Sequence, residues 1–175
     1  MKLKYINMKF KTYVFIASLV LLEVAAGSKD GNFTEGVNPG DLAPELIVKE
    51  KEGNSNIKFA NSEGRFTFVN FWAAYDAESR LSNILFCKEA NAIGSNKLKI
   101  YSISMDANKS VYDATIKADN LDKSQQYWNQ TFIYPDILKE YSVNKQVKNL
   151  LIDDKGIIIG RNLKPSELAN ILNQA

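Results

Sequence analysis

The sequence contains no histidine and a single cysteine, Cys87. Without imidazole there is no Ser-His or Cys-His nucleophile pair and no His-containing zinc site of the usual kind. One thiol closes no intramolecular disulfide. Charge of one sign is also missing. The 22 basic and 20 acidic residues nearly balance, and Lys2, Lys4, Lys9 and Lys11 stand against Glu23 alone in the first 26 positions. Beyond them lie 18 basic and 19 acidic residues, which make no field for nucleic acid. The apolar run Tyr13 to Leu22 is ten residues long before Glu23 breaks it, against about 20 for a membrane-spanning helix. What is present is ordinary for a folded chain: 175 residues, 45% hydrophobic and 11% aromatic, enough to bury one core and too apolar for disorder.

Four early lysines, the short apolar run and Val24-Ala25-Ala26-Gly27 form an export signal with a cut after Ala26. Export takes the protein across a membrane, which for the family resembled below implies the periplasm or cell envelope of a bacterium. The alternative is an uncleaved membrane anchor, the one route by which a membrane becomes a partner. Lipidation at the cut is excluded, since neither position 26 nor 27 is a cysteine. Residues 27–39 are polar and glycine-rich and predict a tether, so the folded domain is expected over 40–175. There the pattern predicts a strand over 45–50, a turn at Glu52-Gly53-Asn54 and a partner strand over 57–59. Phe66 to Trp72 (FTFVNFW) suits a strand buried on both faces. A helix capped by Asp76 runs to about Ile93, with Leu81, Ile84, Leu85, Lys88 and Ala92 as its expected packing stripe, and Gly94 stops it. Further elements are expected at 98–105 (strand), 109–118 (helix), 126–128 (short strand) and 135–141 (helix). The chain closes with a hairpin through Leu150-Leu151-Ile152 and Ile157 to Gly160, then a helix opened by Pro165. Strands joined by crossover helices imply an α/β fold: a mixed central sheet with helices on both faces and an N-terminal β-hairpin extension.

Four segments, in this order and spacing, resemble the TlpA-like thiol-disulfide oxidoreductases, exported thioredoxin-fold proteins related to the AhpC/TSA peroxiredoxins. Gly40-Asp41-Leu42-Ala43-Pro44 resembles their G-x-x-A-P, and Val69-Asn70-Phe71-Trp72-Ala73 their V-N-F-W-A strand. Arg80 matches the basic residue after the redox motif, and Leu151-Ile152-Asp153 through Gly156-Ile157 resembles the L-I-D-x-x-G-x-I hairpin. The resemblance implies a thioredoxin-like three-layer sandwich and thiol exchange at Cys-x-x-Cys on the first turn of the helix.

The motif itself is absent. Asp76 stands at the position of the attacking cysteine and Ser79 at that of the resolving one; Ser82 takes the place of the family's glutamate and Val147 that of its cis-proline. A helix N-terminus stabilises a thiolate through its free N–H groups and dipole, and it stabilises the Asp76 carboxylate in the same way. Neither a carboxylate nor a hydroxyl forms and releases a mixed disulfide. Cys87, more than two turns into the helix, reads as a buried apolar residue, with a monothiol redox or dimer-forming role as its alternative. Asp153 and Asp154 beside Gly156 suit a hairpin turn better than a metal loop, and Asp76 with Glu78 suits capping better than a cation site, so no metal and no cofactor are expected. The expected role is a non-catalytic protein- or peptide-binding module of the envelope, redox-inactive, with a groove bordered by Trp72, Tyr75, Ala77, Glu78, Lys145, Lys148 and Asn149. The alternatives are the oxidoreductase or peroxiredoxin-like activity that the resemblance implies, and a small-molecule site in the same groove.

Overall fold

The structure is a computed structural model that describes residues 33–50, 53–57, 59, 64–128 and 147–174. The expected leader at 1–26, the helix at 135–141 and Lys145 lie outside the described residues.

Strands β1 (Leu46–Glu50) and β2 (Gly53–Ile57) pair antiparallel as a separate two-stranded sheet, Leu46 opposite Ile57 and Glu50 opposite Gly53. The expected turn at Glu52-Gly53-Asn54 and partner strand at 57–59 are therefore shifted. Gly53 and Asn54, expected in the turn, are already paired in β2, opposite Glu50 and Lys49.

Next come β3 (Phe66–Trp72), helix α1 (Ala77–Ile93), β4 (Leu98–Ser104), α2 (Lys109–Ala118), β5 (Gln126–Trp128), β6 (Asn149–Ile152), β7 (Ile158–Arg161) and α3 (Pro165–Gln174). Five strands form one sheet in the order β5-β4-β3-β6-β7. The β3-β4 and β4-β5 pairs are parallel, and β6 and β7 join antiparallel. β3 lies at the centre, and its residues 67–72 are all buried, as its unbroken run of aromatic and β-branched side chains requires.

Alternation along β3 separates two packing surfaces. Phe68 faces α1 and α3, in a cluster with Phe86, Cys87, Ala90, Leu151, Leu168 and Leu172. Trp72, of the same parity, packs on Tyr112 and Ile116 of α2. Val69 and Phe71 point the other way, into a cluster with Ala43, Phe59, Tyr101, Ile103, Val147 and Leu150.

The tether expected over 27–39 is structured where it is described. Gly36 N donates to the Leu42 carbonyl, Gly40 N donates to the Ile158 carbonyl at 2.8 Å, and Ile158 N returns a bond to the Asp41 carbonyl. This segment covers the free edge of β7, as an edge strand requires. Gly40 has φ 95°, a conformation glycine adopts without strain.

The packing face of α1 also differs from the expected one. Its buried residues are Asn83, Phe86, Cys87 and Ala90, while Leu81 is 57% and Leu85 40% exposed, and Lys88 and Ala92 are exposed too. The helix is rotated so that an amide and a thiol face the sheet, because Asn70, Ser102 and Gln126 supply buried polar partners there.

Candidate functional site

β3 ends at Trp72, and the chain turns through Ala73, Ala74 and Tyr75 before Asp76 starts α1. Asp76 Oδ1 accepts from Glu78 N at 3.1 Å and from Ser79 N at 3.4 Å, so the carboxylate caps the helix as expected. Ser79 Oγ accepts from Ala73 N at 3.2 Å and lies 3.2 Å from the Asp76 carbonyl. That hydroxyl ties the strand exit to the first helical turn, with no imidazole to activate it. Arg80 forms a fork with Asp119, Nε to Oδ2 at 2.7 Å, which anchors α1 to the end of α2 and raises the guanidinium pKa further through that hydrogen bond.

Asp106 escaped the sequence reading. It is buried, and both carboxylate oxygens accept from Ala74 N, at 3.0 and 3.1 Å; Oδ2 also takes the Ser104 hydroxyl at 2.8 Å. Its own carbonyl accepts the Trp128 indole N–H at 2.7 Å. Asp106 therefore fixes the turn that presents Tyr75. The one signal available was an acid directly after a strand that ends beside the site.

Only part of the expected groove border is exposed. Tyr75 is 81% exposed, and Asp76, Ala77, Glu78 and Lys148 are exposed. Lys148 Nζ meets Glu78 Oε1 at 3.0 Å, joining the start of β6 to the start of α1. Trp72 and Asn149 do not border this surface. Trp72 is buried against α2, and Asn149 spends its amide on the backbone of Leu163, accepting from N at 2.7 Å and donating to O at 3.0 Å. Val147 is buried in the core on the far side of β3. No peptide bond among the described residues is cis. Ser82 is half-buried on α1.

Cys87 is buried. Gln126 Nε2 donates to Sγ at 3.2 Å, and Gln126, Asn83 and Asn70 continue as a chain of buried amides. Burial pushes the Cys87 thiol pKa up, with hydrogen bonds from Ser102 and Gln126 opposing the shift in part. A thiol held neutral and out of solvent is a poor nucleophile. Among the described residues no group of three or more acidic or cysteine side chains converges to hold a metal ion, and Asp153 Oδ1 is occupied by Lys155 N and Ile157 N in its hairpin turn.

A central strand feeding a capped helix, two parallel neighbours on one side and an antiparallel hairpin on the other define a thioredoxin-fold domain, with the first turn of α1 at the place where such domains do their chemistry. No protein-family model and no curated protein matches the chain. Solved structures do. A thioredoxin-like protein from Parabacteroides distasonis is 43% identical, aligned over 81% of this chain and 99% of its own, with a TM-score of 0.71. The thioredoxin domain of a thiol-disulfide oxidoreductase from Bacteroides vulgatus is 23% identical over 79% of this chain and 98% of its own, TM-score 0.66. A thiol:disulfide interchange protein from a Bacteroides species is 22% identical over 81% and 90%, TM-score 0.64. The chain belongs to the thioredoxin-like protein family.

Proposed function

We propose that this is an exported thioredoxin-like protein that no longer exchanges disulfides and instead binds a protein or peptide of the bacterial envelope over Tyr75, Asp76, Ala77, Glu78 and Lys148. The observation that carries the reading is the occupation of the site: Asp76 and Ser79 are both committed to holding the helix start, and the single thiol is buried elsewhere. The exposed Tyr75 supports binding, because a large amphipathic side chain fixed on a rigid turn recognises partners at low entropic cost. Beside it Glu78 and Lys148 offer one charge of each sign at the rim. The export signal read at residues 1–26 supports an envelope location.

A photoreactive residue placed at position 75 tests this in cells. The expected result is one defined adduct in the envelope fraction with a protein other than this chain, weakened by Lys148→Glu; an adduct of two copies of this chain does not count towards it. No adduct, or an adduct indifferent to Lys148→Glu and to Glu78→Lys, overturns the binding surface.

A further inference from the structure

We propose that the exposed stripe of α1 is the contact face of a homodimer in which two copies pack this helix antiparallel about a twofold axis. The inference rests on the fold and not on the peptide-binding reading. Glu78, Leu81, Leu85, Lys88 and Ala92 follow one another at alternating spacings of three and four residues, and all five are exposed. That spacing is the seam by which two helices interlock. It is also unusual for a surface, since two leucines on consecutive turns face water while an asparagine and a cysteine of the same helix face the core.

The seam is complementary to itself in one direction only. An antiparallel pairing centred level with position 83 sets Leu81 against the partner's Leu85 and Glu78 against the partner's Lys88. Leucine meets leucine and each charge meets its opposite. A parallel pairing would set Glu78 against its own copy and Lys88 likewise. Among the charges beside the seam, Arg80 is held by Asp119 and Glu89 is half-buried, while Lys148, which pairs with Glu78, must turn aside for the partner's Lys88. The stretch from Glu78 to Lys88 is about 15 Å long and a helix about 10 Å wide, a footprint on the order of 150 Å², well short of the roughly 800 Å² per partner of a standard interface. The dimer is thus weak and reversible, and the Glu78 to Lys148 ion pair, exposed at both ends, is readily exchanged for the one across the seam.

Sedimentation velocity on the full chain, from about 10 μM to about 1 mM, tests this with four variants: Leu81→Glu, Glu78→Lys, Lys88→Glu and the combined charge swap. Leu81 is exposed enough for its substitution to leave the fold intact, which circular dichroism checks. The expected result is a concentration-dependent dimer, a dissociation constant raised at least about tenfold by each single change, and recovery to within about threefold in the swap. A monomer at every concentration overturns the proposal and leaves the stripe to another chain. A dimer indifferent to these changes, as association through the apolar run at residues 13–22 would be, also overturns it.

Discussion

Asp76 holds the first turn of α1 through its side chain. Two N–H groups of the helix start, those of Glu78 and Ser79, point at its carboxylate, so Asp76→Ala is expected to cost about 0.5–2 kcal/mol of stability and Asp76→Asn much less, because an amide oxygen still accepts. Paired urea melts read the difference; equal, negligible effects would mean that another group caps α1. A second residue-scale expectation concerns alkaline pH. Burial raises the pKa of Cys87 above 9.0 and that of Tyr112 from 10.0 to about 12. Both groups hold their protons more tightly folded than unfolded. Their contribution is therefore complete below the unfolded values and is lost as the pH climbs through the folded ones. Stability should fall above pH 9, and Tyr112→Phe should lose less than the parent between pH 10 and 12, as urea melts across that range would show. A parallel decline in parent and variant would contradict the assignment.

At the scale of elements, most of the sheet was legible because its strands are short apolar runs bounded by turn residues; β3, α2 and β5 fall where the pattern places them. The rotation of α1 was not legible. Apolar spacing favoured Leu81 and Leu85 as the inner face, and nothing local reveals that Asn70, Ser102 and Gln126 await Asn83 and Cys87 from β3, β4 and β5. Partners distant in sequence decide which face of a helix is buried. The same limit hid Asp106, and it placed Trp72 and Asn149 on the groove although their side chains turn inward. The amide chain makes a prediction of its own. Asn83→Leu removes the acceptor of Asn70 and the donor to Gln126 Oε1 together, so it should cost more than one lost hydrogen bond, on the order of 2–4 kcal/mol. A urea melt in which Asn83→Leu equals the parent would show the network to be dispensable.

Taken whole, the molecule has the thioredoxin-like fold, with Asp76 and Ser79 at the start of α1. Asp76 is exposed and Ser79 half-buried beneath it, the arrangement an outer attacking thiol and an inner resolving one would need. The double variant Asp76→Cys with Ser79→Cys should therefore form an intramolecular disulfide, with the outer thiol more acidic than Cys87. Labelling with a thiol reagent across pH reads this, and two thiols that stay reduced under air would refute it. The central claim is that the native chain performs no thiol-disulfide exchange. Insulin reduction driven by dithiothreitol, run with the purified protein and with Cys87→Ala, tests it most directly. The account predicts that both precipitate insulin no faster than dithiothreitol alone; turnover by the native protein that disappears in Cys87→Ala would contradict it.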